Sequence, residues 1–384
     1  MNHSIYFDNA ATTFPKPPSV VNAVSRVMRE SCGNPGRGSH RLARAASHIL
    51  YDCREEIADL IGLSDPTRVS FTKNTTEALN ITIKGLLKKG DHVLISDLEH
   101  NSVYRPIAAL TKAGIITYDV FSTKTLYSDR LLEKELLSRL KSETRAIVCT
   151  HASNICSISL PLRTIGAFCK KHGLLLIVDA AQSIGHLPID MEKMGITALC
   201  APGHKGLYGP QGSGFLALSA YLPEDSLPRP LLEGGSGYLS LLPDMPTLPP
   251  ERYEAGTVAT PAVAGLCEGI RFVKAVGLDE IAEKECRLYR LARERLLNMP
   301  SVTVYTPIAE GSVLSFSVKG RSSEEIADLL DTGGICVRAG FHCAALAHSA
   351  LGTPKDSGTV RLGFGYFNTE NEVHTFLSAL RRIL

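Results

Sequence analysis

Apolar, β-branched runs at His92–Ser96, Ile115–Val120, Ala146–Thr150, Leu174–Asp179 and Gly214–Leu218 constrain this chain more than any other feature. Between several of them lie amphipathic helical patterns, such as Leu131–Leu140 and Leu162–Lys171. Strands alternating with helices predict an α/β layer built on a largely parallel sheet. From Leu222 to Tyr253 the periodicity stops and seven prolines intervene, which predicts a long irregular excursion that is functional or packs against a partner. Beyond it, Thr260–Val276, Leu278–Asn298 and Ser323–Leu330 read as helices, and Val302–Tyr305, Ser312–Val318, Ile335–Arg338 and Thr359–Tyr366 as strands. A chain of 384 residues exceeds what one core fills, so two domains are expected. We place the large one at 15–265 and a smaller α+β domain at 1–14 with 266–384.

Ligands of open α/β sheets collect at the carboxyl ends of the strands. The residues just past those ends are Glu99-His100, His151 to Asn154 and Asp179 to Gln182. Lys205, in Gly203-His204-Lys205-Gly206, follows Asp179 by 26 residues. A lysine able to form an imine, together with an acid that can keep a proton on a pyridine nitrogen, is what pyridoxal phosphate chemistry needs. Thr75 and Thr76 lie where a short strand gives way to a helical pattern, and hydroxyls and free N–H groups there suit a phosphate, although the same residues cap many ordinary helices. His100 reads either as a surface residue at a helix entry or as an imidazole stacked on the ring and able to move protons. Around Arg361, period-two alternation puts Val360, Leu362 and Phe364 on one face and Arg361 with Gly363 and Gly365 on the other. That leaves room for a carboxylate beside a planar guanidinium, a structural salt bridge being the alternative.

The formal net charge is +2 with both signs interspersed, which gives no footprint for nucleic acid or an anionic membrane and favours a small uncharged or zwitterionic substrate. Met1-Asn2-His3-Ser4-Ile5 is not a basic segment leading into an apolar one, and no run of about 18 apolar residues occurs, so a cytoplasmic location is expected. Ten dispersed cysteines form no C-x-x-C pair, hence no zinc or other metal motif; Cys149, Cys169, Cys200 and Cys267 read as core residues. Cys343 differs, because it follows Arg338-Ala339-Gly340-Phe341-His342 and precedes a stretch rich in Gly, Pro and Ser. It is expected at the start of a mobile loop beside positive charge, where a thiolate is favoured.

Seven motifs in order, Asp8-Asn9-Ala10-Ala11-Thr12-Thr13, Gly38-Ser39-His40-Arg41, Thr75-Thr76-Glu77-Ala78, Glu99-His100-Asn101-Ser102, Asp179-Ala180-Ala181-Gln182, Gly203-His204-Lys205 and Arg338-x-Gly-x-His-Cys343, span nearly the whole chain. The pattern resembles class V aminotransferase-fold proteins of the cysteine desulfurase and selenocysteine lyase group, on the SufS-like side. The resemblance implies a fold-type I pyridoxal phosphate enzyme with a mostly parallel seven-stranded sheet, working as a homodimer with active sites at the subunit boundary. It implies Lys205 as the imine-forming lysine, Asp179 on the ring nitrogen, Gln182 on the ring hydroxyl and His100 over the ring. Thr75, Thr76 and His204 would bind phosphate, with Thr257 reaching in from the neighbouring subunit. Asn154, Arg338, Arg361 and the backbone at Ala10 and Ala11 would hold the substrate.

The implied reaction converts L-cysteine to L-alanine, with Lys205 as base and the sulfur passing to Cys343 as a persulfide and on to an acceptor protein. Arg338 and His342 would favour the Cys343 thiolate, and the loop after it would swing. L-Selenocysteine is the competing substrate; transamination or racemisation is a further reading. Two departures stand out. Pro202 replaces the usual Ser or Thr before the His-Lys pair and removes a hydroxyl and an N–H, which gives some footing to a non-catalytic sulfur-relay subunit. Ser157, beside Cys156, stands where a glycine is common.

Overall fold

The computed structural model describes residues 4–36 and 38–384; Met1, Asn2 and His3, part of the N-terminal reading above, lie outside the described residues, as does Arg37. In chain order the strands are β1 (Ile5–Tyr6), β2 (Val69–Thr72), β3 (His92–Ser96), β4 (Thr117–Phe121), β5 (Thr144–Thr150), β6 (Leu175–Asp179), β7 (Ala198–Pro202), β8 (Gly214–Leu218), β9 (Val302–Val304), β10 (Val313–Val318), β11 (Ile335–Cys336) and β12 (Val360–Gly363). The helices are α1 (Pro18–Glu30), α2 (Arg41–Leu60), α3 (Thr75–Leu86), α4 (Asn101–Lys112), α5 (Asp129–Arg139), α6 (Leu162–His172), α7 (Thr260–Val276), α8 (Leu278–Leu297), α9 (Ser323–Thr332), α10 (Ala345–Leu351) and α11 (Glu370–Ile383).

Seven strands form one sheet in the order β2-β8-β7-β6-β5-β3-β4. Pairing is parallel from β7 to β4, and β8 runs antiparallel to both its neighbours. Strands β2, β3, β7 and β8 are buried along their whole length, as expected of a sheet covered on both faces. One core, with Ile57, Leu94, Val178 and Leu266, packs against one face; a second, with Leu79, Ile95, Ile177 and Leu216, packs against the other. Cys149, Cys169, Cys200 and Cys267 are all buried. A third core joins Phe7 to residues from α8, β10, β12 and α11, over the smaller antiparallel sheet β12-β10-β9.

Several boundaries move, each for a local reason. The run at Ile115–Val120 becomes a strand only from Thr117, because Ile115 N–H closes the end of α4 on the Leu110 carbonyl. Strand β7 was not anticipated: the Ala198–Pro202 run ends in proline, which the sheet tolerates because Pro202 is the terminal residue. Ile335–Arg338 shortens to two residues that pair with β1, and Arg338 instead bridges Arg361 across a single rung. Thr359–Tyr366 is a strand only over β12. Residues 222–253 contain only a short 3-10 turn at Glu224–Ser226, and the expected domain boundary at 265/266 falls inside α7.

Candidate active site

The parallel register fixes where the polar residues go. Thr150 pairs with Asp179 and Asp179 with Cys200, so the ends of β5, β6 and β7 lie side by side. The chain leaving them delivers Asn154, Gln182, His204 and Lys205 to one cavity, and β2 and β3 add Thr75, Thr76 and His100 from the starts of α3 and α4. Both helices are capped there: Asn74 accepts from the Glu77 N–H at 3.0 Å, and His100 Nδ1 accepts from the Ser102 N–H at 3.0 Å. The caps set His100 and the first residues of α3, Thr75 and Thr76, on the lining of one cavity, where the first N–H groups of a helix lack intrahelical partners.

Burial sets the electrostatics. Asp179 is 1 % exposed, and desolvation raises its pKa against the hydrogen bonds it accepts from Ala181 N–H at 2.9 Å and Ser102 Oγ at 3.2 Å. Lys205 reaches the cavity but is otherwise surrounded by protein; burial, then the charge of Arg361, lowers its pKa to about 8, so a usable fraction is free amine. Burial, then Lys205 and Arg338, lowers His100 to about 4, and burial lowers His204 to about 4, so both are neutral imidazoles near pH 7.

Arg361 is 1 % exposed and donates to Asp8 Oδ1 at 2.9 Å and to the Asn154 carbonyl at 3.2 Å, while its Nε–H has no hydrogen-bond partner among the described residues. The salt bridge exists, and it leaves that donor over. The space expected beside Gly363 and Gly365 is occupied: a side chain at Gly363 would strike Ala10, and one at Gly365 would strike Asn9. The glycines therefore admit the Asn9-Ala10 backbone rather than leaving an open slot. Gln182 reaches the same segment, donating from Nε2 to the Ala10 carbonyl at 2.8 Å, and Ala11 follows in the turn closed on Asp8.

Cys343 is exposed on the rim, in a shallow cavity shared with His100, Asn101 and Arg105. The chain beside it is tethered rather than loose: Asn154 Nδ2 donates to the His342 carbonyl at 2.8 Å, and Asn101 N–H donates to the Cys343 carbonyl at 2.7 Å. The first part of the expected mobile loop is helix α10, which starts two residues after the thiol, and the stretch from Gly352 to Gly358 is irregular. His342 and Cys343 both adopt left-handed backbone, with φ of 48° and 56°, a conformation that non-glycine residues hold only at some cost. His342 does not supply positive charge: it is buried, its Nε2 lies 3.0 Å from the Thr359 carbonyl, and burial, then Arg361, lowers its pKa to about 2. Of the two expected cations, only Arg338 remains. Thr257 is exposed ahead of α7 and is not among the residues lining the cavity of its own chain.

Whether these residues suit a phosphate-bearing pyridine can be tested on the polar atoms left without partners. Thr75 Oγ1 and His204 Nδ1 are buried and without a hydrogen-bond partner among the described residues, and both residues line the cavity at the start of α3. Two unpaired polar atoms beside a helix N-terminus fit an anion, and Asp179 lies within the same cavity to meet a ring nitrogen. Pro202 lines it too and offers no donor, so the cradle is one hydroxyl and one N–H poorer. Four residues of the site had no role in the sequence reading: Glu99, Ser102, Asp8 and Lys16, the last donating to the His204 carbonyl at 2.8 Å. Three of them lie inside quoted motifs; Lys16 carried no signal.

The sequence matches the family described as aminotransferase class-V over residues 5–376. It is 33 % identical over 384 residues to the "probable cysteine desulfurase" of Methanothermobacter thermautotrophicus, covering 99 % of this chain and 94 % of that one. It is 30 % identical to the cysteine desulfurase of Salmonella agona, covering 98 % and 93 %. Among solved structures, the apo cysteine desulfurase of Thermococcus onnurineus NA1 superposes with a TM-score of 0.89 at 32 % identity, covering 100 % of this chain and 95 % of that one. With the match running through both the strand-end cavity and the Cys343 rim, this chain belongs to the aminotransferase class-V family.

Proposed function

We propose that this chain is a pyridoxal phosphate-dependent cysteine desulfurase that converts L-cysteine to L-alanine and takes the sulfur onto Cys343. The observation that carries the reading is the meeting of Lys205, Asp179 and His100 at one set of strand ends, with Cys343 on the adjoining rim. When bound, the cofactor supplies an aldehyde for an amine and a ring that accepts electrons from the substrate's α-carbon. Thr75, Thr76, His204 and the N-terminus of α3 would hold its phosphate, with Thr257 supplied by a second copy. Asp179 would keep a proton on the ring nitrogen, Gln182 would meet the ring hydroxyl, and the flat neutral face of His100 would cover the ring.

Lys205, with its lowered pKa, serves as the base that accepts the α-proton at Nζ. Arg361 Nε, Asn154, Arg338 and the Ala10-Ala11 backbone orient the substrate carboxylate. The Cys343 sulfur attacks the substrate sulfur: an S–S bond forms and the C–S bond breaks with its electron pair left on carbon; protonation of that carbon, and return of a proton from Lys205 to the α-carbon, give L-alanine. L-Cysteine and the Cys343 thiol thus become L-alanine and a Cys343 persulfide, which an acceptor protein then takes. Ten unpaired thiols support the cytoplasmic location we propose. Among the described residues no helix is long and apolar enough to cross a membrane.

The test is to incubate the holoenzyme with L-cysteine, quantify alanine and search for added sulfur at Cys343 by mass spectrometry. Cys343→Ser should abolish turnover of L-cysteine while sparing L-selenocysteine, whose selenium leaves more readily. L-Cysteine turnover unchanged in that variant rules out the persulfide route.

A further inference from the structure

The turn that carries Lys205 is held from outside its own sheet. Within the β7–β8 connection, Gly203 N–H donates to the Ser213 carbonyl and Gly209 N–H to the Gly203 carbonyl, both at 2.8 Å. The His204 carbonyl is different: among the described residues, every donor to it comes from the N-terminal segment. These donors are Lys16 Nζ at 2.8 Å, Thr13 N–H at 3.1 Å, and the hydroxyls of Thr12 and Thr13 at 3.2 Å. Lys16 Nζ also donates to Thr13 Oγ1 at 2.7 Å, and that hydroxyl reaches the Lys205 carbonyl at 3.1 Å. The carbonyls on either side of the Lys205 Cα are thus tied to one ammonium, directly or through one hydroxyl.

Burial, with no carboxylate countering it, lowers the Lys16 pKa to about 8, so near pH 7 it is an ammonium that has exchanged water for a hydroxyl and a carbonyl. Hydrogen bonds from a charged donor are roughly twice as strong as those from a neutral one. The other end of the same segment is fixed to the carboxylate-binding side of the site. Asp8 Oδ1 accepts from Arg361 Nη2 at 2.9 Å, Asn9 N–H donates to the Gly363 carbonyl at 3.3 Å, and Gly363 N–H donates to the Phe7 carbonyl at 2.6 Å. Between the two ends, Asn9 Oδ1 accepts from the Phe14 N–H at 3.2 Å and closes the segment on itself. One short, internally bonded brace therefore runs from Arg361 on β12 of the smaller sheet to the Lys205 turn after β7 of the larger one.

We propose that Lys16 is a positioning residue for proton transfer: by holding the His204 and Lys205 carbonyls it sets the distance between Lys205 Nζ and a substrate whose carboxylate Arg361 holds. The proposal rests on the roles given above to Lys205 and Arg361, and adds what keeps them in register. Proton transfer depends on such spacing, and a misplacement of about 1 Å can cost about a hundredfold in rate.

The probe is L-alanine, whose α-proton the holoenzyme should exchange in heavy water with no part played by Cys343; proton NMR follows the loss of that signal. Lys16→Met should slow exchange at saturation by about tenfold or more, while the half-saturating L-alanine concentration moves by less than about threefold. Lys16→Arg, which can still donate to a carbonyl, should recover most of the rate. Amide hydrogen exchange of the same holoenzyme should quicken over 203–209 in Lys16→Met and stay at the wild-type rate over β3. If Lys16→Met does not fold, Thr13→Val removes the bridging hydroxyl at nearly the same shape and should give the same pattern. A wild type that does not exchange the α-proton overturns the role of Lys205 as base, and this proposal with it. Exchange at the wild-type rate in both variants overturns the proposal alone, as does slowed exchange with the 203–209 amides protected as in the wild type.

Discussion

Glu99 is fully buried one residue before His100, and its Oε1 accepts from Ser96 Oγ and from the Thr150 N–H at 2.9 Å. Burial raises its pKa to about 8, with the nearby Asp179 adding to the shift. The unfolded carboxyl ionises near 4.5, so between about 4.5 and 8 the unfolded chain releases a proton that the folded chain keeps. Stability contributed below that window is therefore lost as pH rises through it, by up to about 1.4 kcal/mol per pH unit. Glu99→Gln carries no such proton: its unfolding free energy relative to wild type should climb from pH 5 to pH 8, and urea titrations at both pH values check it. A difference that stays flat would show Glu99 ionised in the folded protein. Residue identities made Lys205, Asp179 and Arg361 legible in the sequence because their chemistry is rare and their motifs are ordered. What burial does to a side chain was not legible. His342 reads as a cation beside Cys343 until the Thr359 carbonyl and its own burial make it neutral. Ser102 and Asp8 sat inside recognised motifs, yet their bonds to Asp179 and Arg361 span 77 and 353 positions that no local pattern records.

At the scale of elements, alternation exposed the central strands because each is a continuous apolar run, whereas β7 and the two-residue β1 and β11 are defined by their neighbours more than by their composition. Ser157 shows the same dependence on context. Its φ of 57° is left-handed, where glycine is free of strain, and the serine is held there by its hydroxyl, which bonds to both the N–H and the carbonyl of Val313 and accepts from the Ser312 N–H at 3.1 Å. The turn after β5 is thereby fastened to β10 of the smaller sheet. Two substitutions separate strain from bonding. Ser157→Ala keeps the strained backbone and loses the hydroxyl, and should destabilise the fold by about 1–3 kcal/mol. Ser157→Gly loses the same bonds but relaxes the backbone, and should recover about 1 kcal/mol of that loss. Thermal or denaturant midpoints should therefore rank wild type above Gly above Ala; equal midpoints for all three would mean the hydroxyl fastens nothing.

At the scale of the whole molecule, one exposed apolar segment bears on the homodimer we propose. Along the irregular excursion, Leu232, Tyr238, Leu239, Leu242 and Leu248 are exposed, and Leu241 is 100 % exposed. Apolar side chains this densely grouped on one segment mark a contact surface rather than the scattered exposure of an ordinary loop. Thr257, four residues beyond Tyr253, is likewise exposed and does not line the cavity of its own chain. Both observations fit a homodimer in which each copy covers the other's excursion and lends its Thr257 to the opposite phosphate cradle. Burying one leucine contributes about 1.5–3 kcal/mol, so placing two glutamates there removes that gain and adds the cost of desolvating charge. Leu239→Glu with Leu241→Glu should weaken dimerisation by about a hundredfold or more, read as a shift from twice the chain mass to the chain mass in light scattering. If Thr257 crosses the boundary as proposed, the same double variant should also lose cofactor absorbance on dialysis faster than wild type, whereas Thr257→Ala should lose it while remaining dimeric. A double variant that stays dimeric would place the contact elsewhere. A monomeric one that holds its cofactor as tightly as wild type would confine the phosphate site to Thr75, Thr76 and His204 of a single chain.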